Sequence, residues 1–145
     1  MVVVRTMAEQ DVAQVACLEV ESFSDPWSEQ GILDSLHQTF SLCLVAEVDD
    51  QIAGYLLFYQ NLDEGEILRI AVKHQKQRLG IGSLIIEKMN AFCEEKRIKR
   101  VMLDVRESNC RAREFYKKQG FVQDGMRKHF YTNPDENAIL MSRRF

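Results

Sequence analysis

Gln77-Arg78-Leu79-Gly80-Ile81-Gly82-Ser83 is the stretch of this chain best suited to holding a charged ligand. It follows an apolar β run and opens an apolar helical period, so its glycines fall at a strand-to-helix turn. Lacking a Cβ, Gly80 and Gly82 let backbone N–H groups approach a ligand closely, and a helix N-terminus adds about half a positive charge. A pyrophosphate suits that setting. The pattern is not a dinucleotide fingerprint, because the third glycine is absent and position 85 is Ile85, nor a P-loop, because no Gly-Lys-Ser/Thr follows. The plain alternative is a turn that needs positive φ and holds nothing.

Asp104, Asn109, Cys110 and Tyr116 follow downstream, each with a structural role it could fill instead. Asn109 is a favoured N-cap for a helix starting there. Tyr116 shares a helical face with Ala112 and Phe115 at i, i+3 and i+4 spacing, which suits core packing. Asp104, near a strand end, could pair with Arg69 or Arg106. Cys110 has no histidine beside it in sequence to activate the thiol, so a covalent route through it is disfavoured. The four cysteines and three histidines are scattered, without C-x-x-C or an i, i+4 His pair, so no metal is expected. Asp63, Glu64 and Glu66 form an acidic cluster that reads as a solvated turn or as a rim drawing in a basic polypeptide.

The elements that position these residues follow from periodicity. Val2-Val3-Val4 is a short strand, and Thr6-x-x-Glu9 reads as a capping box opening a helix with Val12, Val15, Ala16 and Leu18 inward, ending near Phe23. Asp25-Pro26-Trp27-Ser28 breaks the chain, Ser28 caps a second helix holding Ile32, Leu33 and Leu36 inward, and Trp27 packs against it. A hairpin turns at Asp49-Asp50, and a third β run covers Glu66 to Val72. A helix beginning near Gly80 or Gly82 carries Leu84, Ile85, Met89 and Phe92. Strand Val101–Val105, a short helix ending before Gly120, and strand-like runs at Phe121-Val122 and Ala138–Met141 complete the chain. The fold class is mixed α/β (α+β), a single domain over residues 1–145 with one sheet covered by helices. A charge of −3 argues against a nucleic-acid partner bound through bulk charge. No apolar run reaches the 18 or so residues needed to span a bilayer, and the start lacks a charged n-region and cleavage site; a cytoplasmic location is expected.

Three segments in combination carry a family resemblance: Gln-x-x-Gly-x-Gly after the Ile70-Ala71-Val72 strand, Leu103-Asp104-Val105-Arg106-x-Ser108-Asn109, and Phe115-Tyr116-x-x-x-Gly120-Phe121. Together they resemble the GNAT family of acetyl-CoA-dependent N-acetyltransferases over essentially the whole chain. Phe23 with Pro26-Trp27-Ser28, Ala112, and Arg127-x-x-Phe130-Tyr131 are most similar to the bacterial branch that acetylates the alanine terminus of ribosomal protein S18.

The resemblance implies that acetyl-CoA lies where two parallel strands splay apart. Backbone groups of Ile70, Ala71 and Val72 would meet the pantetheine arm, which can add to a sheet edge like a strand. Amides from Arg78 through Leu79, Gly80, Ile81 and Gly82 to Ser83 would hold the pyrophosphate, with Gln77 opening the loop. Asn109 would bond the cofactor arm, and Tyr116 would lie beside the thioester sulfur as an acid. A thiolate leaving group with a conjugate-acid pKa of about 8.5 can take a proton from a phenol near 10. Tyr131 would close over the incoming peptide, though Phe130 stands where the family has a second tyrosine. The S18 enzymes have Glu where this chain has Asp104, whose carboxylate falls about 1.5 Å short; Asp104, Glu66 or a water relay therefore remain alternatives for the base. The acceptor expected is a protein α-amine, from a basic ribosomal protein; a small-molecule amine and a non-catalytic acyl-CoA-sensing role are the other readings.

Overall fold

The computed structural model describes residues 1–145, the side chain of Arg78 excepted. Seven strands, β1 (Val2–Thr6), β2 (Ser41–Val48), β3 (Gln51–Asn61), β4 (Glu64–Val72), β5 (Arg100–Arg106), β6 (Val122–Tyr131) and β7 (Glu136–Arg144), make one sheet. Their order is β1-β2-β3-β4-β5-β7-β6. Every neighbouring pair is antiparallel except β4 and β5. Four helices cover the sheet: α1 (Val12–Ser22), α2 (Glu29–Leu36), α3 (Ile81–Glu95) and α4 (Cys110–Lys118). None is long and apolar enough to cross a membrane.

The core forms two layers. Val12, Val15 and Leu18 of α1 and Ile32 of α2 pack with Val45, Tyr55 and Leu57 of the sheet. On the opposite side Ile81, Ile85, Ile86 and Met89 of α3, with Tyr116 of α4, pack on Leu56, Phe58, Leu103 and Ile139. Residues Ile52–Phe58 of β3 are buried throughout, since that strand has a helical layer on each face. Asp49 and Asp50 both take positive φ, 52° and 63°, which matches the right-handed twist of a two-residue hairpin. Gly65 of β4 lies against the fully buried ring of Phe58, and an added Cβ would come 2.2 Å from its Cζ. Gly65→Ala is therefore expected to destabilise the fold by about 1–3 kcal/mol, measured by chemical denaturation.

Two expectations from sequence are corrected. Thr6 ends β1 and caps nothing; a 3-10 turn at Glu9–Asp11 precedes α1. The carboxylate that closes this turn belongs to Asp11, which accepts from the Ala8 N–H at 2.7 Å and is held by the Arg5 guanidinium at 2.8 and 3.0 Å. Glu9 instead meets His37 at 2.6 Å. The short run expected at Phe121-Val122 becomes a ten-residue strand to Tyr131.

Candidate active site

β4 and β5 pair only from Glu64↔Arg100 to Ile67↔Leu103. Beyond Ile67 the two strands separate, while the other edge of β4 stays bonded to β3 as far as Val72. The segment from Leu68 to Val72 thus offers one edge of peptide groups outside the sheet's own ladder, the form of edge an extended amide-bearing ligand can extend. A cleft of about 1070 Å³ follows this separation, lined by Ile70, Ala71, Val72, Asp104, Asn109 and Tyr116, with Tyr131 on its margin.

After β4 a 3-10 turn, His74–Leu79, leads to Gly80 at φ 73°, and α3 starts at Ile81. Gly80 is the left-handed residue the turn requires; a Cβ there would meet nothing within 4 Å, so backbone conformation alone selects glycine. At Gly82 the reason is space, because a Cβ would stand 3.0 Å from two ring carbons of Phe115 in α4. Among the described residues no side chain caps α3. The N–H groups of Ile81, Gly82 and Ser83 consequently have no intrahelical carbonyl and no capping partner, and Gly80, Gly82 and Ser83 line the cleft. These donors fit a pyrophosphate. The side chains of Leu79, exposed, and Ile81, fully buried, do not line the cleft, so only their amides could serve. Gln77 braces the turn: its Nε2 donates to the Val72 carbonyl at 3.2 Å and its Oε1 accepts from Arg111 of α4.

Asn109 caps α4, its Oδ1 accepting from the Ala112 N–H at 3.2 Å, while it also lines the cleft. Two turns later Tyr116 is 7% exposed, its ring edge-on to Phe115 and Phe121 at centroid distances of 5.5 and 5.7 Å. Among the described residues no group hydrogen-bonds its hydroxyl. Burial, with Tyr131 nearby, pushes this phenol well above its usual 10, so it keeps its proton at neutral pH.

Asp104 projects into the cleft from β5. Burial raises its carboxyl above the usual range, with Arg127 partly opposing. The pairing with Arg69 or Arg106 that sequence allowed does not form. Arg69 is engaged by Glu19 and Asp25, and Arg106 by Glu136. Glu66, opposite Met102 and two strand positions from Asp104, lines a separate smaller cleft; burial and then the Asp104 charge raise its carboxyl too. The neighbours of the acidic cluster are cationic: Glu64 meets Arg100 at 3.6 Å and Asp63 meets Lys99 at 3.9 Å. Tyr131 is half-buried, with the Arg106 guanidinium 4.4 Å from its ring centroid, and burial and the Asp104 charge push its phenol up to about 12. Cys110, exposed at the start of α4, does not line the cleft. Trp27 packs on the α1–α2 layer, as expected.

Sequence reasoning missed the groups that shape the α1–α2 side of the cleft. Glu19 is fully buried, accepting from the Tyr55 hydroxyl and from the Trp27 N–H at 2.8 Å, with Arg69 Nε at 3.0 Å. Its position, four residues after Val15 and seven after Val12, falls on the inward face of α1, but its charged side chain suggested solvent, and its partners Tyr55 and Arg69 come from distant strands.

A sheet parted between two parallel strands, with an uncapped helix N-terminus and a buried tyrosine facing one cleft, is a framework suited to an extended, diphosphate-bearing ligand whose far end reaches a phenol. The chain matches the Acetyltransferase (GNAT) family over residues 12–121 and belongs to that family. A Bacillus subtilis (strain 168) protein, provisionally named a ribosomal protein bS18-alanine N-acetyltransferase, is 33% identical over 95% of this chain and 92% of its own length. A Haemophilus influenzae protein named as the bS18-alanine N-acetyltransferase is 31% identical, with 86% of each chain covered. The crystal structure of the ribosomal-protein-S18-alanine N-acetyltransferase from Escherichia coli superposes with a TM-score of 0.91 at 25% identity, covering 99% of this chain and 94% of that one.

Proposed function

We propose that this protein transfers acetyl from acetyl-CoA to the α-amino group of a protein amino terminus, the alanine terminus of ribosomal protein bS18, in the cytoplasm. The observation that carries the reading is the convergence, in one cleft, of the free β4 edge at Leu68–Val72, the uncapped start of α3, and the buried Tyr116. The relatives' names support the acceptor.

In this reading the backbone of Ile70, Ala71 and Val72 aligns the pantetheine arm, and the amides from Arg78 to Ser83 hold the diphosphate. Asn109 keeps its side-chain amide for the arm while its oxygen caps α4. An α-amine, with a pKa of about 7.7–8.0, is far easier to deprotonate near neutrality than a lysine near 10.4. Asp104 takes that proton through a water, its carboxylate being one methylene shorter than the Glu of the S18 enzymes. Strand N–H groups stabilise charge on the thioester oxygen, and Tyr116 donates to the departing sulfur. Transfer is direct, with both substrates bound together.

The test is release of free CoA across a panel of acceptors. An alanine-initiated basic peptide is expected to be turned over far better than polyamines, aminoglycosides or free amino acids. Preference for a small amine would overturn the acceptor assignment, and binding of acetyl-CoA without turnover of any acceptor would make the protein a sensor.

A further inference from the structure

The connection between α1 and α2 is held from both of the strands that part. Arg69 of β4 donates through Nη2 to the Asp25 carbonyl at 2.7 Å, and its guanidinium lies 4.1 Å from the Phe23 ring centroid. Arg106 of β5 donates through Nη2 to the Ser24 hydroxyl at 3.2 Å, and lies against Tyr131 in the same manner. Arg106 also reaches the turn between β6 and β7, donating to the carbonyls of Thr132 and Pro134, each at 3.0 Å. Its partner Glu136, at 3.4 Å, accepts from the Ser108 N–H at 2.5 Å, beside the cap of α4. Both arginine side chains are mostly buried, 12% and 18% exposed.

We propose that Arg69 and Arg106 are positioning residues that strap residues 23–25 across the parted strands, and that Arg106 locks the β6–β7 turn and Tyr131 to that strap as one wall of the acceptor site. The word acceptor rests on the acetyl-transfer reading above. A guanidinium presents five N–H donors in a rigid plane, which is what three backbone or hydroxyl oxygens and a carboxylate from separate segments require; an ammonium on a flexible stem does not reproduce it. Two carbonyls of one loop and a hydroxyl of the other, gathered by the Arg106 side chain, fix the two loops relative to each other, which matters for a polypeptide lying between them and little for a donor bound along β4 and α3. The brace therefore acts on acceptor binding more than on the chemical step.

Arg106→Ala and Arg106→Lys are compared with the wild type by steady-state kinetics using an alanine-initiated peptide. For Arg106→Ala the peptide KM is expected to rise about 10-fold or more, with kcat within about 3-fold and the acetyl-CoA KM within about 2-fold. Arg106→Lys should fall between, because one bond at a time is recovered. Full rescue by lysine, or equal losses in the peptide and acetyl-CoA constants, would overturn the proposal. Hydrogen exchange on the same proteins separates this from the acetyl-transfer reading. Segments 23–27 and 131–136 should exchange faster together in both Arg106 variants, whereas Ser24→Ala should loosen only the first. Wild-type exchange at both segments in the variants sinks the brace whatever the acceptor proves to be. Coupled exchange in a protein that acetylates no peptide keeps the brace and removes the acceptor.

Discussion

Tyr116→Phe is expected to lower kcat on the order of 10²-fold or more while leaving acetyl-CoA affinity unchanged, read by single-turnover kinetics and calorimetry. The ring remains to pack against Phe115 and Phe121, and the hydroxyl removed bonds no described residue, so the melting temperature should hold. What is lost is the donor to the departing sulfur. Burial raises this phenol above 10, so Tyr116 stays protonated as pH increases. The rate should therefore climb through the amine's pKa near 8 and show no fall from this group up to about pH 10. A descending limb between pH 8 and 9 that disappears in Tyr116→Phe would contradict that assignment. An unchanged kcat would remove Tyr116 from the acid role.

Asp104→Asn carries the second large effect, a loss of about 10²-fold in kcat/KM for the peptide. Asp104→Glu should preserve or raise the rate, since it returns the carboxylate about 1.5 Å toward the amine. Glu66→Gln should cost several-fold at most, because Glu66 lines the other cleft. A larger loss in Glu66→Gln than in Asp104→Asn would move the base to β4. Stability moves the opposite way from activity. Asp104 has a folded-state carboxyl raised above its unfolded value, so its ionised form disfavours the folded state. That contribution is most favourable at acid pH and is lost as pH rises through the raised value. Asp104→Asn should accordingly gain thermal stability relative to wild type above that value and lose the advantage below the ordinary aspartate range near 3.9.

The half of the site built from local signals was readable in sequence. Gly80 announced a left-handed turn, Asn109 a cap, and the spacing of Ala112, Phe115 and Tyr116 a helix face, because each depends on residues within four positions. β6 was foreseen only at its start. Eight of its ten residues are exposed, so it lacks the period-2 burial that marks a strand with one covered face, and it is held by its register with β7. Thr6 and Glu9 satisfied the spacing of a capping box, yet Asp11 won the turn because Arg5, fixed in β1, could grip its carboxylate. The arginine assignments failed for a related reason. Arg69 and Arg106 lay near Asp104 in the predicted sheet, but their oxygens come from residues 26 to 82 positions away in sequence, beyond the reach of periodicity. Glu19 likewise owes its burial to Tyr55 and Arg69, which only the folded sheet supplies.

The deciding measurement is tandem mass spectrometry of a peptide bearing the bS18 amino terminus after incubation with the protein and acetyl-CoA. One acetyl group on the α-nitrogen of the leading alanine, absent with Tyr116→Phe over the same interval, is the result foreseen. A peptide that stays unmodified while a lysine side chain or a small amine is acetylated would contradict the reading.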